Sequence, residues 1–175
     1  TDFSNVKVIV DEGRNFLKSQ TGKYDIIMLS LPVTQTSRSL EGYSLTENFL
    51  FTTESIHDYL DHLTDEGRLM VVTHNYVTAL RLLTLSLTSL EQQGISNADA
   101  LTRIYMLNLG SEETVYPFFV LKKTPFEPEE AFIRHEKMVE LGYEPTLTYF
   151  PYIQEEGAVN PTVQSLASGE LSLRQ

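Results

Sequence analysis

Apolar positions fall into two spacings along the chain. Val6, Val8, Ile9 and Val10 form a β-branched run stopped by Asp11, Glu12 and Gly13. This predicts a mostly buried strand ending in a polar turn. Phe16 and Leu17 anchor a short helix over 12–19, with Asp11 as its N-cap. Residues 24–31 are a nearly continuous apolar run, the pattern of a parallel-sheet strand covered on both faces, and Pro32 ends it. A long irregular loop is predicted over 33–48, a length often associated with function. Thr52 or Thr53 caps a helix reaching Leu63, with Ile56, Tyr59, Leu60 and Leu63 on one face. Asp65, Glu66 and Gly67 predict a turn into a third strand at 68–73.

The later half changes period. Leu80, Leu83, Leu87 and Leu90 predict a helix over 77–93, closed by Gly94. Arg81 and several Thr and Ser residues keep that stretch from reading as a membrane span. Residues 101–109 and 115–123 predict two strands joined as an antiparallel hairpin through 110–114. An acidic amphipathic helix over 128–141 carries Phe132, Ile133, Met138, Val139 and Leu141. Residues 158–175 are rich in Ser, Gly and Gln and are expected to fray. The order implies an α/β fold in three layers, with parallel strands and a terminal antiparallel hairpin. Three stretches follow: a domain over 1–125, an acidic helical extension over 126–157 and a flexible tail over 158–175. Ligands of such folds sit at the carboxyl ends of the strands.

Composition narrows the chemistry. The 175 residues carry a net charge of −11, which argues against nucleic acid, because phosphate binding needs clustered Lys and Arg. Residues 127–157 hold eight Glu against two basic residues, expected to be a solvated helix face. The absence of Cys excludes disulfides and thiolate chemistry and fits a reducing, cytoplasmic setting. Thr1 and not Met opens the chain, without a basic-then-apolar leader, so it reads as an excised piece of something longer.

No G-x-G-x-x-G, P-loop or G-x-S-x-G is present. Asp11 and Glu12 stand where a carboxylate accepts hydrogen bonds from an adenine amino group or a ribose hydroxyl. They stand equally where an acid caps a helix and favours its dipole by about 0.3–1 kcal/mol. Ser30, ending a buried strand, either meets a ligand or satisfies local backbone. His74 lies at a strand end near the presumed crevice, where a lone His is more often structural. His57 and His62, five apart on one helix, face different ways and make no metal site. His135 falls on the acidic helix. Glu41, Tyr43 and Glu47 could attract a cationic substrate.

Four motifs, in order, resemble the spermidine/spermine synthase-like group of the class I methyltransferase fold. They are Glu12-Gly13-Arg14-Asn15-Phe16-Leu17, Tyr24-Asp25-Ile26-Ile27, Glu47-Asn48-Phe49-Leu50-Phe51-Thr52 and Leu63-Thr64-Asp65-Glu66-Gly67-Arg68-Leu69. The resemblance covers roughly residues 6–125. It implies S-adenosylmethionine or its decarboxylated form as cofactor and a small-molecule amine as acceptor. Asp11, Glu12, Gly13 and Ser30 would border the cofactor, with Glu12 on the adenine. Tyr43, Glu47 and His74 would border the substrate. Ser30 stands where the family carries an Asp that positions the attacking amine, so the usual base for aminopropyl transfer is missing.

The family orders its sheet 3-2-1-4-5-7-6. Its first two strands, with the Gly-rich turn, should precede Val6, so the chain resembles the later part of such a domain. It resembles a bacterial branch in which the domain sits beside membrane helices. The strand at 6–10 must then pair with the one at 24–30, detach, or find another chain. The expectation is a five-stranded remnant with an exposed sheet edge open to a partner or to a second copy. Without the Gly-rich turn, these 175 residues alone are expected to bind neither cofactor and to be inactive. The alternative is a non-catalytic interaction domain that keeps the fold.

Overall fold

A computed structural model describes residues 4–32, 47–111, 114–142, 149–153, 163 and 165. The chain runs α1 (Gly13–Ser19), β1 (Tyr24–Ser30), α2 (Glu47–Leu50), α3 (Thr53–Asp61) and β2 (Leu63–Val72). It continues through α4 (Tyr76–Gln92), α5 (Asn97–Leu101), β3 (Ile104–Ser111), β4 (Thr114–Lys122) and α6 (Pro128–Glu140). The sheet is four-stranded and mixed, in the order β1-β2-β4-β3. β1 and β2 are parallel, and β4 lies antiparallel between β2 and β3.

Strand periodicity of two divides the core into two faces. Leu69 pairs with Leu121 and Val71 with Phe119, and all four enter a cluster with Ile56, Leu60, Leu83, Leu87 and Leu90 from α3 and α4. The alternate pairs, Met70 with Val120 and Val72 with Phe118, face a second cluster with Tyr105, Phe126 and Phe150. Phe150 stacks on Tyr105 at 5.0 Å, and His135 of α6 meets Phe150 edge-on at 5.2 Å. Tyr149 exchanges two backbone hydrogen bonds of 2.9 Å with Met106, extending the pairing beyond β3. Val163, within the stretch expected to fray, is fully buried in the first cluster.

The caps explain where the helices stop and start. Thr52 Oγ1 accepts from the Ser55 amide, and Ser55 Oγ accepts from the Thr52 amide, a reciprocal box at the head of α3. Asn75 Oδ1 accepts from the Thr78 amide at 2.9 Å and opens α4. At the other end Ile95 donates to Leu90 and Gly94 to Glu91, with Gly94 at φ +82°. That Schellman arrangement uses the left-handed backbone that glycine supplies without penalty.

Several expectations are overturned. Residues 6–10 form no strand and are exposed, Val8 at 84% and Val10 at 100%. β-branched residues favour extended backbone, but a strand requires a neighbour to bond, and this run has none in the sheet. Among the described residues the sheet therefore has four strands and not five. β1 is covered on one face only: Ile26 and Met28 are 56% and 55% exposed. β2 begins at Leu63, so α3 ends before it, and Asp65, Glu66 and Gly67 lie inside the strand. There the register with β1 shifts between Tyr24 and Ile26, and a Cβ on Gly67 would lie 2.7 Å from the Tyr24 carbonyl oxygen. The short helix α2 begins within the stretch expected to be loop, and α5 precedes the strand expected from 101 and takes in its first residue.

The orientation of α6 is set by more than its apolar residues. Phe132, Ile133, Val139 and Leu141 are exposed, whereas Ala131 and His135 are buried. Met138 packs against the second cluster, and an ion-pair network supplements it. Lys122 of β4 is buried, with Nζ 2.8 Å from Glu66 and 3.0 Å from Glu130 of α6. Glu130 also accepts from Arg134 at 2.8 Å. Burial opposes the charge on Lys122, yet its two carboxylate partners outweigh that and hold it above the ordinary lysine value. Burial likewise opposes the charge on Glu130, and Arg134 and Lys122 together hold it below the usual carboxylate value.

Candidate functional site

The carboxyl ends of β1 and β2 form one edge of the sheet. Ser30, the last residue of β1, pairs with Val72, and the Leu31 amide donates to the Val72 carbonyl at 3.1 Å. Leu31 then takes φ +45°, a left-handed conformation that a leucine rarely adopts. Such strain at a strand end is one mark of a functional turn. On β2, Thr73 is buried and its hydroxyl reaches the carbonyls of Asn75 and Pro117. His74 follows, half-buried, before the Asn75 cap of α4. Ser30 and His74 are thus brought to the same edge, with Ser30 exposed.

The acidic turn before α1 is built differently from expectation. Glu12, not Asp11, is the N-cap: its Oε1 accepts from the Arg14 amide at 3.1 Å and its Oε2 from the Asn15 amide at 2.9 Å. Asp11 is exposed and accepts from the Glu12 amide at 2.8 Å. The longer Glu side chain curls back over the first turn and satisfies two amides that the helix leaves unpaired. A methyl group on Gly13 would meet nothing within 4 Å, so no close approach demands glycine there.

Glu12 opens onto a pocket of about 390 Å³, lined also by Arg14, Asn15, Lys18 and Phe49. Arg14 shapes this pocket. Its Nε donates to Asp58 Oδ2 at 2.7 Å, and its Nη1 donates to the Phe49 carbonyl at 3.2 Å. Arg81 of α4 donates to the Phe51 carbonyl at 3.2 Å. Two arginines therefore hold the segment at 49–51 against α1 and α4. Phe49 presents an exposed ring at the pocket. The pocket combines a carboxylate acceptor with an aromatic face and the amine of Lys18. Nearby, Tyr59 donates to the Leu50 carbonyl, and burial pushes its phenol up to about 12, so it stays neutral.

The expected residues thus divide into two groups. Glu12 and Gly13 lie with α2, the helix that Glu47 opens, whereas Ser30 and His74 lie at the sheet edge. The pocket lining includes neither Ser30 nor His74. Tyr43 and Glu41 lie outside the described residues. Arg14, Lys18 and Phe49 were not singled out individually from the sequence. Arg14 and Lys18 stand four apart on one helix face, a spacing that could have paired them.

His57 lies 3.4 Å from Asp61, and His62 hydrogen-bonds the carbonyls of Asp58 and Gln20. Contrary to the expectation of exposure, His135 is buried against Phe150. Among the described residues no cluster of His, Cys, Asp or Glu is placed to hold a metal ion, and no helix is long and apolar enough to cross a membrane. No protein-family model matches the chain, and comparison with curated protein sequences finds no match.

Proposed function

We propose that residues 6–125 form the later half of a spermidine-synthase-like transferase domain of the S-adenosylmethionine-binding, Rossmann-like type. The observation that carries this reading is the strand order. β1-β2-β4-β3, with β4 antiparallel in third place, repeats the 4-5-7-6 portion of the family's sheet. In that frame β1 is the strand beside which the family's first strand pairs. Its backbone edge, at the end of the sheet, is where such a neighbour would bond, and its half-covered face, with Ile26 and Met28 exposed, fits a covering helix from the earlier part of the domain. Residues 6–10 correspond to the family's third strand, two places further out, which is consistent with their lack of a partner here.

The pocket beside Glu12 suits the nucleoside part of a sulfonium cofactor. A carboxylate accepts from ribose hydroxyls or an adenine amino group, and the Phe49 ring offers a flat apolar surface to the base. Asp11 and Gly13 flank that carboxylate. Ser30, with Tyr43, Glu47 and His74, would border a small-molecule amine. The transfer would break a carbon–sulfur bond of the sulfonium and form a carbon–nitrogen bond to the amine, whose proton leaves to solvent. Such a reaction depends mainly on in-line positioning. With Ser30 in place of an acid, methyl or aminopropyl transfer would proceed without a carboxylate base there. The domain is proposed to face the cytoplasm as part of a membrane-anchored protein. The 175 residues contain no Gly-rich phosphate turn, so cofactor binding is proposed for the full-length protein and not for this stretch alone.

A second reading, a non-catalytic interaction domain, is favoured by one observation: both Glu12 oxygens already accept amides of α1. Calorimetric titration of S-adenosylmethionine and of its decarboxylated form into the full-length protein separates the two. Saturable micromolar binding of either supports the transferase. Absent or millimolar binding of both supports the interaction domain.

A further inference from the structure

The outer face of α6 has a composition that the transferase reading does not use. Ala131 and His135 turn inward, and Glu130 and Arg134 are tied into the Lys122 network. Three large apolar residues of the helix remain outside, Phe132, Ile133 and Val139, with Leu141 just past its end, each between 47% and 62% exposed. Phe132 to Val139 spans about 10 Å of helix. Phe132 and Val139 are seven apart and share one side. At 100° per residue, Glu129 and Glu136, also seven apart, form a row between that side and Ile133. Beside Ile133 lies a pocket of about 560 Å³, lined also by Met138, by Glu127, Glu129 and Glu130, and by Arg134 and Lys137.

The charges of this face are one-sided. The basic groups there are already matched: Arg134 lies 2.8 Å from Glu130, and Lys137 lies 2.5 Å from Glu140. Glu127, Glu129 and Glu136 are exposed, and no ion pair engages them among the described residues. Net negative charge therefore runs along the exposed side of α6, between Phe132 with Val139 on one flank and Ile133 with its pocket on the other, over about two helical turns. Recognition of this kind pairs apolar anchors with a complementary charged rim.

We propose that α6 docks a basic amphipathic helix of a partner protein, whose apolar anchor enters the pocket beside Ile133 and whose Lys or Arg residues face Glu127, Glu129 and Glu136. Two copies of this chain would oppose the same acidic rows to each other, and an anionic membrane surface would be repelled. A basic helix satisfies both the apolar residues and the carboxylates.

The test uses the full chain and two fluorescent helical peptides of equal length, one of Leu and Lys and one of Leu and Glu, followed by anisotropy. The Leu/Lys peptide is expected to bind and the Leu/Glu peptide is not. Phe132→Ser with Ile133→Ser should weaken binding about tenfold or more. Glu129→Gln with Glu136→Gln should weaken it severalfold and flatten its salt dependence. Asp61→Asn, which removes a carboxylate at the end of α3, should leave it unchanged. Circular dichroism checks that each variant folds, as expected for exposed positions. Equal weakening by Asp61→Asn, loss of the effect of the apolar variants, or no peptide binding at all would overturn the proposal. So would self-association, or capture by neutral lipid vesicles, that the Phe132 and Ile133 changes abolish.

Discussion

The Arg14 guanidinium meets the Asp58 carboxylate at 2.7 Å with both side chains largely covered, joining α1 to α3. The same arginine donates to the Phe49 carbonyl, so one side chain fixes three segments around the Glu12 pocket. Removing either partner strands the other in a partly covered site. Asp58→Ala or Arg14→Ala is expected to cost about 1–3 kcal/mol, read as a lower urea midpoint at constant slope. The double variant should cost less than the sum of the two, with a coupling of at least about 0.5 kcal/mol. Strict additivity would mean that the pair is not formed in solution.

Gly67 carries a different kind of constraint. A methyl group there would press on the Tyr24 carbonyl at 2.7 Å and on Thr64 backbone atoms at 2.9 Å, all main-chain atoms that cannot rotate away. Gly67→Ala is expected to cost about 2 kcal/mol or more by forcing β1 and β2 apart at the register shift. Gly13→Ala, with open space around it, should be neutral or stabilising by about 0.5 kcal/mol. Thermal unfolding of the two variants side by side decides the matter. Equal midpoints would contradict the register shift.

Lys122 makes α6 docking dependent on pH at both extremes. The Glu130 carboxyl is held below its unfolded value, so its contribution is full above that value, near 4.3, and fades as pH falls through the lowered folded value. Lys122 is held above its unfolded value near 10.4, so its contribution is full below that point and fades as pH rises through the raised folded value. Lys122→Ala opens a cavity beside Phe126 and takes one of its basic partners from Glu130, and is expected to cost about 2–3 kcal/mol. Lys122→Met, which keeps the packing over Phe126 (the Lys122 ammonium lies 5.4 Å from that ring), should cost less and remove the alkaline limb. Unfolding monitored across pH reads each of these.

What the sequence made legible was local. The 3, 4, 3 spacing of leucines with Asn75 before and Gly94 after marked α4, and the hairpin of β3 and β4 followed from two apolar runs around a turn. The rest depended on partners distant in sequence. Residues 6–10 have strand composition but no neighbouring strand, and composition alone cannot supply one. α6 was legible as an acidic amphipathic helix, but which side it buries was not, because a buried lysine 8 positions before Glu130 leaves no periodic signal. Its inner surface is made of Ala131, His135, Met138 and a carboxylate paired with Lys122 of β4. At the site, Glu12 was legible as an acid before a helix, but both of its oxygens had to be seen on α1 before capping and ligand binding could be set against each other.

That contest gives the most direct test of the transferase reading. Serine is a good N-cap but has no carboxylate, so Glu12→Ser should keep α1 intact, whereas Glu12→Ala should cost about 0.5–2 kcal/mol. The measurement is calorimetric titration of S-adenosylmethionine and of decarboxylated S-adenosylmethionine into the full-length protein and its Glu12→Ser variant. The expected result is saturable binding of one cofactor by the parent and about tenfold or greater weakening in the variant, at unchanged stability. Failure of the parent to bind either cofactor would contradict the transferase. Binding with an affinity unaltered by Glu12→Ser would remove Glu12 from the site and leave it a helix cap.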